Sequence, residues 1–274
     1  MAAAQAESVS GDVEANVGTA VGLVEQAAQQ GARVVVLPEL FLTGYDPDAW
    51  SDQALVRGHG DERLRALHRH AREHAVLVLA SGARPGRVPH YVADPPPVRH
   101  ISVFALGGPD ELPSCVYDKQ HLTTEEKGFF TAGDHGAGVV VDGWRLGLGV
   151  CYDGCFPEHA MAAAADGATA YLCPSAYYVG SEHRRDLYYA ARALDNGIYV
   201  VFAGLTGRCG TREFNGGSTI YDPEGRPLDR LGREAGIAAA DLDTAEIDRV
   251  RRLNPIAADR RTSLGGRTWL AGGR

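Results

Sequence analysis

Apolar and polar positions along this chain change period repeatedly, and each change predicts an element. In EANVGTAVGLVEQAAQQG (14–31) apolar residues recur at helical spacing, and the run stops at Gly31, a residue suited to a helix C-terminus. RVVVLP (33–38) is short, apolar and β-branched, the pattern of a buried strand. DERLRALHRHAREHA (61–75) returns to helical spacing, and VLVLASG (76–82) to a continuous apolar run. HISVFAL (100–106) and SCVYD (114–118) read as strands. WRLGLGV (144–150) alternates, with Trp144, Leu146, Leu148 and Val150 on one face. PEHAMAAAADG (157–167) predicts a helix with Pro157 near its first turn. TAYLCP (169–174) is a strand, HRRDLYYAARALDNG (183–197) a helix and IYVVFAG (198–204) a strand. NGGSTIYDPEGRPLDRLG (215–232) reads as strand, Asp-Pro-Glu-Gly turn and strand, and AGIAAADLD (235–243) as a further strand.

Strands alternating with helices make this an α/β chain in which helices are available to cover sheet faces. No repeat is visible and no shift in composition marks a boundary, so one domain over 1–274 is expected. ADPPPVRH (93–100) reads as a surface loop.

Composition narrows the partners. Of the 274 residues, 27 are Lys or Arg and 35 are Asp or Glu, for a net charge of −8, which argues against a nucleic-acid partner. The dense basic runs, RVRRLNP and DRRTS, lie among acidic residues and read as solvated surface. The alanine-rich AMAAAADGATAYL is broken by Asp166 and Gly167, so no membrane span is expected. MAAAQAESVSGDVEAN has no basic leader region, and five irregularly spaced cysteines do not form a disulfide framework. A cytoplasmic protein with reduced thiols is the expectation.

Three strand ends carry candidate chemistry, the place where α/β sheets commonly put their sites. Cys151 follows WRLGLGV and precedes a helix, whose N-terminal N–H groups favour a thiolate or hold an oxyanion. The competing reading is a buried cysteine acting as a small hydrophobe. Glu39 follows RVVVLP amid Leu40, Phe41 and Leu42; desolvation there would raise its pKa and suit a general base, whereas a plain turn cap is the alternative. Lys119 follows SCVYD and is either a solvated charge or, if buried near Glu39, a fixed cation. Cys155 lies four residues after Cys151, not the spacing of a redox or zinc pair, and reads as a bystander. His70 and His74 share a helix face without a His-Glu-x-x-His pattern, so no metal site is expected from them. His121 and His159 lie near enough in sequence to the candidates to leave a Cys–His pair open. GLTGRCG is glycine-rich but does not match a phosphate-binding loop.

LPELFLTGY, YDKQHL and GVCYDGCFPE, in that order and separation, resemble the glutamate, lysine and cysteine motifs of the nitrilase superfamily of carbon–nitrogen hydrolases. EEKGFFTAGD, ARALDNGIYVV, NGGSTIYDPEG and NPIAADRR extend the resemblance over almost the whole chain. The resemblance implies a four-layer α-β-β-α sandwich, assembly into dimers or larger homo-oligomers, and no metal or organic cofactor. It implies Glu39, Lys119 and Cys151 as a catalytic triad. A second glutamate maps to Glu126, with Glu125 as the fallback. CPSAYY places Ser175, Ala176 and Tyr177 where the family often lines its substrate pocket, and Tyr177 and Tyr178 are either an aromatic wall or core. The family's first strand opens with a longer apolar run than MAAAQA, so a short or frayed strand is expected here. Asp195 stands where the family usually has Glu.

True nitrilases usually follow the nucleophile with Trp-Glu. This chain has Tyr152-Asp153, which favours hydrolysis of a small carboxamide. In that reading Lys119 and the Tyr152 N–H hold the oxyanion of a Cys151 adduct. An N-carbamoyl amide hydrolase, which also releases carbon dioxide, is the alternative; a nitrilase or a non-catalytic binding protein on the same scaffold is further off. A carboxylate-bearing substrate would need a cation, for which Arg184, Arg185 and Arg192 are candidates, the first two more readily read as a solvated helix face.

Overall fold

Asp12 starts the first helix, its carboxylate accepting the Ala15 N–H at 3.0 Å, and Gly31, with φ of 78°, lets the chain turn back after it. The computed structural model describes residues 1–50, 55–57, 60–86, 98–108, 112–261 and 263–270. Most of the proline-rich stretch 93–100 lies outside them.

The first half runs β1 (Ala2–Gln5), α1 (Val13–Gln29), β2 (Val34–Val36), α2 (Arg65–Glu73), β3 (Leu77–Pro85), β4 (Arg99–Leu106) and β5 (Ser114–Asp118). The second half runs β6 (Gly138–Val141), β7 (Trp144–Leu148), α3 (Pro157–Ala165), β8 (Ala170–Ser175), α4 (Glu182–Asn196) and β9 (Tyr199–Gly204). It continues through a two-stranded ribbon, β10 (Thr206–Cys209) with β11 (Arg212–Asn215), and then β12 (Thr219–Tyr221) and β13 (Pro227–Arg230). β14 (Gly236–Ala239), α5 (Thr244–Leu253) and α6 (Ile256–Asp259) close the described elements.

Two six-stranded sheets result, ordered β14-β1-β2-β3-β4-β5 and β13-β12-β9-β8-β7-β6. Each holds three neighbouring parallel strands, β1-β2-β3 or β7-β8-β9, flanked by antiparallel ones. The strands of each parallel trio are joined through two helices. The fold therefore repeats itself where the sequence shows no repeat, because pairing sense depends on the alternation of elements and not on residue identity.

Period-two alternation sorts side chains between layers. In β8 and β9, Ala170, Leu172, Tyr199, Val201 and Ala203 join the large core between the sheets. Tyr171, Cys173, Val200 and Phe202 face the other way, into a second cluster with Ala160, Tyr189 and Ala193 of the helices. Each fully buried branched or aromatic side chain contributes about 1.5–3 kcal/mol. This is the four-layer α-β-β-α sandwich.

The short first strand is not frayed. Ala2, Ala3 and Ala4 are fully buried, and β1 pairs with both β14 and β2. Small side chains suffice because this strand runs through the sheet's interior, under the opposing β9 and β12.

Candidate active site

Glu39 lies three residues past β2, Lys119 directly past β5, and Cys151 three residues past β7. The facing sheets bring these ends together. Lys119 Nζ lies 2.6 Å from Glu39 Oε1 and 2.8 Å from each oxygen of Glu126. All four side chains are buried, Glu39 and Glu126 completely. Glu125 points elsewhere, to an ion pair with Arg212.

Local backbone geometry sets each group. Leu40, just after Glu39, has φ of 51°, and Cys151 has φ of 44°, conformations that L-residues adopt at a cost of about 1–3 kcal/mol. The Ser81 hydroxyl accepts the Leu40 N–H at 3.1 Å and so holds the first of these turns. Cys151 opens a short 3-10 turn, Cys151–Cys155, that leads into α3. Beneath this turn the Tyr189 hydroxyl donates to the Cys151 carbonyl at 3.0 Å. Gly154 makes that possible, since a Cβ there would meet the Tyr189 ring at 2.6 Å.

The two carboxylates are unequal. Glu126 is saturated: besides Lys119 it accepts from the Tyr45 hydroxyl at 2.6 Å and the Thr123 N–H at 2.8 Å. Burial pushes its carboxyl up, but Lys119 and these bonds outweigh that and hold it below the ordinary value. Glu39 is the surplus charge. Burial pushes it up to about 7; Lys119 opposes the rise and Glu126 adds to it. Burial pulls the Lys119 ammonium down, but two carboxylates more than reverse this, so it stays charged.

Glu39 Oε2 has no hydrogen-bond partner among the described residues, and after Lys119 the Cys151 thiol is the second donor side chain that draws this carboxyl's pKa down. The thiol itself sits 3.6 Å from the Ala176 carbonyl. Burial and the Glu39 charge hold the thiol well above its ordinary value. The thiol is therefore protonated at rest, and Glu39, with its carboxyl at about 7, is close to half-ionised at neutral pH. Asp153 N–H closes the turn onto Val150 O, while the Tyr152 N–H, one residue earlier, lies in the first turn where helical N–H groups have no partner within the helix.

Several expected pocket residues do other work. The Ser175 hydroxyl meets the Tyr189 hydroxyl at 2.9 Å and the Cys173 carbonyl at 3.1 Å, beneath the Cys151 turn. Tyr177 points its hydroxyl at Cys155 Sγ, 3.3 Å away, and packs on Tyr189 and Phe202, so its ring belongs to the core. Tyr178 is the half-exposed aromatic: it packs against Tyr45 and Phe214, with the Arg212 guanidinium over its ring. Arg185 is not on a solvated face. It is buried, donating to Asn215 Oδ1 at 2.7 Å and Gly216 O at 2.8 Å, and of the pair only Arg184 is exposed.

His121 and His159 both engage Asp153 and not Cys151. With Asp153 they form a group at metal-ligand spacing, but both ring nitrogens of His159, His121 Nδ1 and the carboxylate already serve bonds within the protein. Two cavities, of about 550 and 170 Å³, are lined by other residues than Cys151; His121 and His159 line the larger.

A thiol at a strand end, between two facing sheets clad in helices, is the arrangement of the nitrilase superfamily. The family model for carbon–nitrogen hydrolases matches residues 1–252, and the chain belongs to that family. It is 31% identical over 255 residues to a nitrilase of Pyrococcus abyssi, covering 90% of this chain and 91% of that protein. It is 29% identical over 262 residues to the omega-amidase of Bos taurus, covering 91% and 90%. The amidase of Nesterenkonia sp. AN1 superposes with a TM-score of 0.78 at 30% identity, covering 95% of each chain. A double mutant of that amidase has been solved in complex with acrylamide, and a mutant shows the acetamide moiety of fluoroacetamide added covalently at the active site cysteine.

Among the described residues no helix is long and apolar enough to cross a membrane.

Proposed function

We propose that this protein hydrolyses a small carboxamide to its carboxylic acid and ammonia through a thioester on Cys151. The observation that carries the reading is the junction of Lys119 with Glu39 and Glu126 at 2.6–2.8 Å, with one Glu39 oxygen left without a partner among the described residues and the carboxyl coupled to the Cys151 thiol. A carboxyl whose pKa is near 7 takes and returns protons efficiently at neutral pH.

Glu39 takes the thiol proton as sulfur attacks the carbonyl carbon. The resulting oxyanion is held by the Lys119 ammonium and the Tyr152 N–H. Glu39 passes its proton to the amide nitrogen, the C–N bond breaks and ammonia leaves. Glu39 then draws a proton from water as it attacks the thioester, and that proton returns to the departing sulfur. Glu126 acts through Lys119, fixing the ammonium with both of its oxygens at 2.8 Å.

A short uncharged amide fits best. Arg185 is spent on Asn215 and Gly216, and Arg212, beside Tyr178, is compensated by Glu125. Arg192 is buried against the Tyr188 carbonyl at 3.3 Å and opposite Asp195 at 3.7 Å, so each of the three already faces an acceptor or a carboxylate of the protein. The omega-amidase among the relatives keeps ω-amidodicarboxylates in the panel, and N-carbamoyl compounds are separated by carbon dioxide release. The test is ammonia release across these three classes, with intact-mass analysis after fluoroacetamide. Cys151→Ala should abolish turnover and adduct, and Cys155→Ala should retain most of both. An adduct on another cysteine, or equal loss in both variants, would refute the mechanism.

A further inference from the structure

We propose that Asp153 is a positioning residue for this reaction, its carboxylate tying the backbone before the nucleophile to the segment that carries Lys119. The inference rests on the thioester reading of Cys151 above.

The carboxylate is completely buried and takes four hydrogen bonds, two on each oxygen. Oδ2 accepts the Val150 N–H at 2.9 Å and the Tyr117 hydroxyl at 2.8 Å. Oδ1 accepts the His121 N–H at 2.8 Å and faces His121 Nδ1 at 2.8 Å. Val150 immediately precedes Cys151, while Tyr117 and His121 stand two residues before and two after Lys119. One carboxylate thus clamps the lysine segment of one sheet to the nucleophile turn of the other. The Cys151 backbone needs such an anchor because its φ is positive.

The network fixes its own proton positions. An ionised carboxylate only accepts, so Tyr117 gives its single proton to Asp153. Tyr117 oxygen, 2.9 Å from His159 Nε2, must then accept from it. That leaves His159 Nδ1 as the acceptor for the Tyr171 hydroxyl, also at 2.9 Å. The chain Tyr171–His159–Tyr117–Asp153 therefore has one arrangement with every donor and acceptor served. Burial holds His159 below its ordinary pKa, and the neutral ring this implies is the one the chain requires. His121 is fixed a second time by stacking on Phe156, with ring centroids 4.0 Å apart, so it too belongs to the turn.

An amide at position 153 keeps the shape but turns one acceptor into a donor, which then faces a donor on either side. Releasing the clamp displaces thiol and ammonium relative to each other, and a misplacement of about 1 Å costs on the order of 10²-fold in rate. The test is the rate of fluoroacetamide labelling of Cys151, followed by mass spectrometry across reagent concentrations. In Asp153→Asn the limiting rate should fall roughly 10²-fold while the half-saturating concentration stays within about threefold. Asp153→Glu should not rescue it, because a longer side chain cannot keep all four bonds. Tyr117→Phe and His121→Gln each keep the carboxylate, and each should lose about tenfold, which covers the case of an Asn variant that does not fold.

Folded variants, verified by melting, that label Cys151 at the wild-type rate would overturn the positioning role. So would a loss confined to half-saturation. If wild-type protein is labelled at another cysteine, the thioester reading itself fails, a different outcome from failure of the clamp.

Discussion

Replacing Glu39 with glutamine should stabilise the protein at alkaline pH while removing its activity. The site holds two carboxylates and one ammonium, and Glu126 has first claim on the ammonium through two contacts at 2.8 Å. Glu39 is thus a buried charge in excess, and its carboxyl stands at about 7 against 4.5 for an unperturbed one. A folded pKa above the unfolded one means that the folded state binds the proton more tightly. Its stabilisation is full below about 4.5 and is lost as pH rises to about 7. At about 1.36 kcal/mol per pH unit the loss is roughly 3 kcal/mol. Glutamine imitates the protonated carboxyl at every pH. Glu39→Gln should therefore match wild type at about pH 4.5 and exceed it by roughly 3 kcal/mol at about pH 8. In melting temperature this is roughly 6–12 °C, at about 2–4 °C per kcal/mol for chains near this size. Glu126→Gln should do the opposite. Its carboxyl is held below the ordinary value, so its contribution is present at about pH 8 and lost as pH falls, and the variant should melt lower than wild type there. Melting curves of the three proteins at these acid and alkaline values decide the matter. A Glu39→Gln protein less stable than wild type at the alkaline value, or a difference that ignores pH, would refute the charge accounting.

Two further outcomes test the packing. Gly149→Ala should cost about 3 kcal/mol or more, because a Cβ there would collide with the Tyr171 hydroxyl oxygen; Gly18→Ala, in open space within α1, should instead gain about 0.5–1 kcal/mol in the same urea titration. Arg185→Met should destabilise by about 2–4 kcal/mol by stranding Asn215 Oδ1 and the Gly216 carbonyl, and Arg184→Met should stay within about 0.5 kcal/mol; equal effects would return Arg185 to the surface.

Much of this was legible in the chain because its signals are local. The apolar runs at 33–38, 169–174 and 198–204 mark parallel strands buried on both faces, and those strands are present. The positions of Glu39, Lys119 and Cys151 at strand ends follow from the same pattern. Other parts left weaker traces. The ribbon β10–β11 begins in GLTGRCG, where glycines mask a strand, and β1 hides in an alanine run with little β-propensity. Arg185 and Arg184 are adjacent letters; only the rotation of α4 against β12 puts one beneath the surface and the other in water.

Residue order alone was enough for the alternation of elements, the placing of three candidate residues at strand ends and the carbon–nitrogen hydrolase family. Packing in three dimensions set which glutamate meets Lys119, which carboxylate carries the excess charge, and that Ser175 and Tyr177 support the turn from beneath. It also made Asp153 a clamp between two motifs, joined to His121 from 32 residues away. The physical reason is that hydrogen bonding and desolvation depend on distances across the gap between the sheets. Those distances exist only once both sheets have packed.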